Sequence, residues 1–257
     1  MPSPESYEPS PSEIRKAEKS MTDSQREQTE AREDTFHAGR MAEKESSKGN
    51  PEQEKSAEAM KEIVEKEVAF WKKLGVEVKE ADVKAKIEAL PEVEGFDHFV
   101  YVPQGIKMSE VFNKMEENGQ PVYSPFSPEK MDAFKKVKPD MRDNQKDSYA
   151  IATRFQPEPD ADTLGDKAKS AEEWEETGET FMQPMEYLIT AMRYQTETDR
   201  HLDENTYTIC PGSRASDGDV PGLGFFADFG RVRLYDGYPD DRDSRYGVRR
   251  VVTSSQK

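Results

Sequence analysis

Cysteine is nearly absent from this chain: Cys210 is the only one among 257 residues. A single cysteine excludes an intramolecular disulfide framework and a zinc site built from several thiolates. The sequence also lacks an apolar run near the ~18 residues that a membrane span requires, and MPSPESYEPSPSEI at the start has no apolar signal-peptide core. These absences predict a soluble, cytoplasmic protein with no membrane span.

Basic residues are outnumbered by acidic ones, 37 against 53, which gives a formal net charge of −16. Such a field repels phosphate backbones, so we expect no nucleic-acid partner. Apolar residues make up only 33% of the chain, against roughly 45–50% in globular proteins when glycine is counted. The deficit indicates that part of the chain does not fold.

The polar residues concentrate at the N-terminus. Residues 1–55 are rich in Ser, Glu, Lys, Gln and Pro and have few large apolar side chains. Such a segment cannot bury enough surface to offset its chain entropy, so it is predicted to be a disordered, acidic and polar leader. Residues 253–257, TSSQK, are predicted to be a frayed tail.

Residues 56–95 are predicted to be a helical segment. Met60, Val64 and Trp71 follow helical spacing in the first of two amphipathic runs, and Gly75 is a natural stop. A second short helix ends before Pro91. Both helices need a surface to pack on, and the sequence leaves open whether that surface is the main domain.

Residues 96–252 are predicted to form an α+β domain with a mainly antiparallel sheet. One long buried helix, residues 183–195, covers the sheet, because its apolar residues surround most of its girth. Val232 and Leu234 lie on one strand face, and Arg231 and Arg233 on the other. The predicted strands are residues 99–102, 148–155, 206–210, 223–226, 231–235 and 248–252.

The stretch TICPGSRASDGDVPGLGFF, residues 208–226, contains the first candidate catalytic group. A nucleophilic cysteine needs a base or a positive field, and His201 and Arg214 are the candidates in sequence. Three residues separate Cys210 from Arg214, whereas the phosphatase loop has five. The alternative is that Cys210 is a packing residue and His201 caps the helix end.

Aspartates in the same region suggest a cation site. Oxygen-rich loops suit calcium, although the spacing is not that of an EF-hand. From Asp217 to Asp243 there are seven aspartates, and from Arg214 to Arg250 seven arginines, so Arg–Asp pairs and turn bonds explain the composition without a metal. We expect no cofactor, with calcium as the alternative. The candidate ligands are Asp217, Asp219, Asp236, Asp240, Asp241 and Asp243.

The region from YLITAMRY to YGVRRVV resembles a domain of hypothetical proteins from candidate-phylum bacteria. The shared pattern is a helix, Thr-Gly-x-His-Leu-Asp, a strand, Cys-x-Gly-Ser-Arg, x-Asp-Gly-x-Val-Pro and a closing Arg-x-x-Val-Val. Here Asp199 replaces the glycine, and Phe225 lies near a position where tryptophan is common. The likeness covers residues 96–252 and implies no activity. The matching residues are His201, Leu202, Asp203, Cys210, Gly212, Ser213, Arg214, Asp217, Gly218, Val220, Pro221, Arg249 and Val252.

A second resemblance is to the C-type-lectin-like fold and its formylglycine-generating relatives. Those domains place a Gly/Asp-rich loop region before terminal hairpin strands. This chain has neither the paired cysteines of the lectin core nor a Glu-Pro-Asn or Gln-Pro-Asp sugar motif, and Tyr-Pro-Asp at 238–240 is its nearest equivalent. The resemblance implies a binding scaffold, while the single cysteine argues against formylglycine chemistry.

Three function hypotheses follow from the sequence. The first is a non-enzymatic binding module that presents loops 211–222 and 236–247 to a protein or glycan partner. The second is an enzyme that uses Cys210 or an Asp-bound metal ion. The third is an interaction protein whose helix, residues 56–74, contacts a partner through Trp71. The candidate binding or structural residues are Ser213, Arg214, Asp203, Arg249 and Trp71.

Overall fold

A computed structural model describes residues 51–137 and 142–254. The predicted leader, residues 1–55, therefore falls mainly outside the described residues, as does most of the predicted tail. The chain divides into two units, residues 1–58 and 59–257. The fold described below is that of the second unit.

The described part of the chain contains both helices and strands, as the α+β prediction requires. Three short 3₁₀ helices, residues 161–163, 165–167 and 227–229, complete the helical elements. None of the helices in the described ranges is long and apolar enough to cross a membrane. The α-helices are α1 (Pro51–Lys73), α2 (Glu80–Glu88), α3 (Met108–Glu117), α4 (Pro128–Asp132), α5 (Ala171–Glu176) and α6 (Pro184–Thr198).

The strands in the described ranges form three sheets, where the sequence pattern predicted one. A three-stranded antiparallel sheet has the order β1-β4-β10, a five-stranded sheet the order β2-β8-β7-β5-β9, and β3 pairs with β6. The β2–β8 and β5–β9 pairs are parallel. The strands are β1 (His98–Val102), β2 (Val122–Tyr123), β3 (Lys135–Lys136), β4 (Tyr149–Thr153), β5 (Tyr207–Ile209), β6 (Ser213–Arg214), β7 (Val220–Phe226), β8 (Arg231–Gly237), β9 (Tyr246–Gly247) and β10 (Val251–Val252).

Of the final predicted strand, residues 248–252, only Val251 and Val252 lie in a strand, and the two residues just before the predicted strand belong to a different sheet. Tyr246 and Gly247 pair with β5 in the five-stranded sheet, whereas Val251 and Val252 pair with β4 in the three-stranded sheet. The chain thus passes from one sheet to the other between β9 and β10. Sequence alternation alone does not reveal such a change of partner.

The N-terminal helices pack on the sheets and do not form a separate segment. Trp71 is completely buried, and its indole Nε1 donates a hydrogen bond to the Tyr101 carbonyl at 3.1 Å. The buried Glu67 pairs with Arg193 of α6 and accepts the Tyr101 N–H at 3.2 Å. The residues of α1 from Ala59 onward and α2 therefore belong to the same unit as the α+β region, and the boundary predicted at residue 96 is not a domain boundary.

Helix α6 lies between the two larger sheets, since it contacts β1 of one and β7 of the other. Gln183 is its N-cap residue and Pro184 its first helical residue, where a missing N–H costs nothing. The first three turns are buried. Helices α2 and α3 also pack on the strands or on α6, so the helical cover is more extensive than the single helix predicted.

A second, smaller core lies on the other face of the five-stranded sheet. Trp174 of α5, which is 3% exposed, packs with Ile209 of β5 and Val220 of β7. The acidic stretch 156–179 is thus anchored by Trp174. This segment covers one end of the sheet face, and the remainder of that face carries the site described below.

Candidate functional site

Cys210 lies in the main core and is completely buried. Its backbone N–H donates to the Pro221 carbonyl at 2.9 Å, which holds the turn closed. Burial raises the pKa of the thiol well above its usual range, and the nearby Glu186 and Asp203 raise it further. The thiol is therefore protonated and packed at neutral pH, which matches the packing alternative and contradicts the nucleophile hypothesis.

His201 follows α6 and does not serve as a base for Cys210. Its ring stacks on Phe225 with 3.8 Å between centroids, and no hydrogen bond between it and Cys210 occurs among the described residues. Burial lowers the pKa of His201, although Glu204 and Asp199 act in the opposite direction. His201 is mostly neutral at pH 7 and acts as a packing residue, so the helix-capping role is carried instead by Asp199, which has a left-handed φ of 57°.

Asp203 and Arg249 form a structural ion pair in the interior. Arg249 also donates to the carbonyls of Gln156 and Pro157, at 2.9 and 3.0 Å, and Thr208 donates to Asp203 at 2.6 Å. With exposures of 0% and 2%, Asp203 and Arg249 do not reach a partner on the surface. Of the binding-or-structural alternatives, the structure supports the structural one for this pair.

Arg214 and Ser213 occupy β6, at the edge of the Asp/Gly-rich loop. The Arg214 guanidinium pairs with Glu175 of α5 and donates to the Pro211 carbonyl at 2.7 Å. Ser213 is 4% exposed. These contacts fasten the loop to α5 and leave Arg214 with little capacity for an external ligand.

Three of the six predicted cation ligands come together. Carboxylate oxygens of Asp217, Asp219 and Asp236 lie within 4.8 Å of one another. Burial raises the pKa of Asp236, and the charges of Asp217 and Asp219 raise it further. This crowding is what a cation would relieve, and exposed carboxylates also cluster without one.

The other three predicted ligands, Asp240, Asp241 and Asp243, lie outside this cluster. Asp243 binds the Arg245 guanidinium at 2.9 Å, and Asp241 accepts the Arg242 N–H at 3.0 Å. Asp240 is exposed, and the described structure does not place it in the cluster. The six-aspartate site predicted from sequence is therefore wrong in extent.

The open part of the five-stranded sheet carries aromatic rings and guanidinium groups. It is the face opposite the buried Val232 and Leu234. We call it the aromatic–arginine face, and it consists of Tyr123, Tyr207, Phe226, Phe229, Arg231, Arg233, Tyr235 and Tyr246.

Two glycines of β7 shape the aromatic–arginine face. A Cβ on Gly222 would lie 2.5 Å from the Tyr235 ring, and a Cβ on Gly224 would lie 2.5 Å from the Tyr207 ring. Each ring thus rests on bare backbone of the neighbouring strand, directly across the register. Because these two positions have no side chain, the rings lie close to the sheet backbone and the face is flat.

Arg231 and Arg233 lie two residues apart on β8, with their guanidinium groups over aromatic rings. Arg231 lies 4.6 Å from the Tyr123 centroid, and Arg233 lies 4.4 Å from the Phe226 centroid. Neither forms an ion pair with a described residue, and the Nε of each is buried without a hydrogen-bond partner in that part of the chain.

Arg231 and Arg233 differ from most other described arginines, because they have no carboxylate partner among the described residues. In the described ranges, most arginines lie beside a carboxylate. Those paired with Asp or Glu are Arg142, Arg154, Arg193, Arg214, Arg242, Arg245, Arg249 and Arg250.

One pattern in the sequence pointed to part of this face, and its other parts carried no signal in the sequence. The alternation of RVRLY placed Arg231 and Arg233 on one side of a strand. Tyr123 lay outside every predicted strand, yet it pairs with Arg233 in β2–β8. The convergence of rings from five strands depends on sheet order, which the alternation pattern does not encode.

Comparison of the chain with protein-family models, curated proteins and solved structures gave no match. The resemblances to bacterial hypothetical proteins and to the C-type-lectin-like fold therefore stay predictions.

Proposed function

We propose that this chain is a non-enzymatic binding module, and that its aromatic–arginine face recognises a carboxylate-bearing segment of a partner protein. The observation that carries the proposal is the pair of guanidinium groups, Arg231 and Arg233, that lack carboxylate partners among the described residues of a strongly acidic chain. The proposal assigns recognition to this face in place of the loops 211–222 and 236–247 that the sequence pattern favoured.

The composition of the face is that of a protein interface core. Tyrosine, phenylalanine and arginine are enriched at such interfaces and at the positions that dominate binding energy. Phe229 is 59% exposed and Tyr123 is 37% exposed, so both offer apolar area to a partner. The stacked rings restrict the guanidinium groups before binding, which lowers the entropy cost of ordering them.

The chemistry of the partner follows from the geometry of the arginines. A guanidinium binds a carboxylate through two parallel N–H donors. Residues two apart on a strand lie roughly 6.6 Å apart along it and face the same side. An extended partner segment with acidic residues at alternate positions has the same spacing, so each carboxylate can meet one guanidinium.

Binding of a glutamate–tyrosine copolymer tests the proposal. Biolayer interferometry on the full chain should show saturable binding, and the double variant Arg231→Ala/Arg233→Ala should weaken it by about ten-fold or more, because two charge-assisted hydrogen-bond groups are lost. The matched control is Arg200→Ala/Arg242→Ala, which removes the same charge from two exposed arginines outside the face.

Polygalacturonate and oligothymidylate serve as comparison polyanions. Stronger binding of polygalacturonate would replace the protein partner with an acidic glycan, and equal binding of all three would indicate charge attraction alone. Loss of copolymer binding in both double variants would show that net charge, and not this face, is responsible.

A further inference from the structure

A cavity of about 320 Å³ lies apart from the aromatic–arginine face and shares no residue with it. It forms where the starts of α3 and α6 meet α4, β3 and β6. This volume falls at the lower end of the roughly 300–1,000 Å³ typical of small-molecule sites. None of the function hypotheses drawn from the sequence uses it.

Polar and apolar residues contribute about equally to the walls of the cavity, and they are not mixed at random. The lining residues that are exposed are all polar, namely Lys107, Asp132 and Gln145, and they mark the mouth. Met108 and Met131, each 5% exposed, lie further in. A ligand therefore meets charged groups at the mouth and apolar surface in the interior of the cavity.

Two opposite charges at the mouth lie at the start of α3. Lys107 is the N-cap residue of α3, and Asp132, the last residue of α4, accepts the Ser109 N–H and hydroxyl at 2.9 and 2.8 Å. Lys107 and Asp132 form no ion pair with each other or with any other described residue, whereas Lys136 and Asp143 of the same lining bind each other at 2.7 Å. One ammonium and one carboxylate thus remain for a ligand that carries both charges.

Two buried lining residues have side-chain oxygens that accept no hydrogen bond from a described residue. Asn144 is 8% exposed and donates its amide to two backbone carbonyls, which leaves its side-chain oxygen unused. Ser213 is 4% exposed, and its hydroxyl has no partner in the described ranges. The Tyr149 hydroxyl, in contrast, is already hydrogen-bonded to the buried Arg142–Glu186 pair. Unused acceptor oxygens of this kind suit the N–H donors of an ammonium group.

We propose that this cavity binds a free α-amino acid with an apolar side chain. The ligand's ammonium group meets the Asp132 carboxylate, its carboxylate meets the Lys107 ammonium, and its side chain occupies the methionine-lined interior. The zwitterion supplies both charges from one carbon atom and adds no net charge to the site. Methionine walls adjust to side chains of different outline. This ligand does not depend on the partner protein proposed for the aromatic–arginine face.

Isothermal titration of the full chain with L-leucine tests the proposal, and saturable binding to one site is expected. Three truncated probes separate the parts of the ligand. 4-Methylpentanoate lacks the ammonium group, 3-methylbutylamine lacks the carboxylate, and glycine lacks the apolar side chain. Each should bind about five-fold or more weakly than L-leucine, because each loses one of the three sets of contacts. A truncated probe that matches L-leucine, or no saturable binding of L-leucine, would overturn the proposal.

Two variants assign the charges at the mouth. Lys107→Gln should weaken L-leucine by about five-fold or more and change 3-methylbutylamine, which has no carboxylate, by less than about two-fold. Asp132→Asn keeps an acceptor for Ser109, and it should weaken L-leucine in the same way while sparing 4-methylpentanoate.

The matched controls are Lys72→Gln and Asp97→Asn, which remove the same charges from exposed residues outside the cavity. Both should bind L-leucine as the wild type does. Unchanged L-leucine affinity in Lys107→Gln or in a folded Asp132→Asn variant would show that the charges at the mouth do not hold the ligand. Equal losses in the controls would show long-range charge attraction in place of a site.

Discussion

Arg249 forms a buried ion pair with Asp203, although 46 residues separate them in sequence. The pair joins the turn that follows α6 to the segment in which the chain passes from the five-stranded to the three-stranded sheet. Asp203 has a left-handed φ of 55°, a conformation that costs free energy for a residue with a Cβ. The contacts of its carboxylate with Arg249 and Thr208 hold it there.

Replacement of Arg249 by Met should lower the free energy of unfolding by about 3–5 kcal/mol, because it leaves the Asp203 carboxylate buried and unpaired. Urea unfolding measures the change. The matched control is Arg245→Met, which breaks the exposed pair with Asp243 and should cost less than about 1 kcal/mol. The double variant Asp203→Asn/Arg249→Met should be more stable than Arg249→Met alone. Equal stability of the two single variants would contradict a buried structural role.

Sequence patterns predicted the local elements better than their arrangement. The apolar girth of α6 predicted a helix over residues 183–195, close to its bounds in the structure, because that signal depends on neighbours in sequence. The division of residues 246–252 between two sheets depends on distant partners, β5 and β4. Local alternation has no information about those partners.

At the candidate site, too, local features were predictable from sequence and long-range contacts were not. Asp217 and Asp219 lie in one turn, so their proximity was predictable, but only the β7–β8 register brings Asp236 beside them. The unpaired state of Arg231 and Arg233 was not predictable, because counts of aspartates and arginines suggested that all would pair. The register places aromatic rings beside these two arginines in place of carboxylates.

Cys210 should resist thiol reagents in the native protein, because it is fully buried and its pKa is raised by burial. Reaction with Ellman's reagent should proceed only when denaturant unfolds the chain, and its rate should follow the unfolding equilibrium. Cys210→Ala should keep copolymer binding while losing roughly 1–3 kcal/mol of stability from the small cavity. A fast native reaction would reopen the nucleophile hypothesis.

His98 should make stability depend on pH. Its ring stacks on Phe155 with 3.8 Å between centroids, and burial lowers the pKa of His98 to about 4, against the opposing charges of Glu197 and Asp97. At pH values between the pKa of His98 in the folded chain and the ordinary pKa of histidine, the unfolded chain holds a proton on this residue that the folded chain does not. Stability is therefore retained above the ordinary histidine pKa and falls as the pH drops toward 4, by up to about 3 kcal/mol.

The variant His98→Phe isolates this effect. Urea unfolding of both proteins at pH 7 and pH 5 should show a larger loss for the wild type, because the variant has no group to protonate at this position. His201→Phe is the control: the pKa of His201 is lowered too, but this residue is only half-buried, so its removal should flatten the pH dependence less. Identical pH dependence of wild type and His98→Phe would show that His98 is not buried in its neutral form.

Repulsion in the Asp217–Asp219–Asp236 cluster should destabilise the protein in the absence of divalent cations. The raised pKa of Asp236 means that its stabilising contribution is present at acidic pH and is lost as the pH rises through the folded pKa. At pH 7 in chelator, Asp217→Asn should therefore melt at a higher temperature than the wild type. Asp240→Asn, which removes an equal charge outside the cluster, is the control and should melt with the wild type.

Calcium distinguishes repulsion alone from the cation site considered in the sequence analysis. A bound ion would raise the melting temperature of the wild type in millimolar calcium, and Asp217→Asn would gain less because one ligand oxygen loses its charge. The wild type would then melt at a lower temperature than Asp217→Asn in chelator and at a higher temperature in calcium. If calcium shifts neither melting temperature, the cluster acts only as a repulsive group of carboxylates. Identical melting of all three proteins in chelator would exclude even that repulsion.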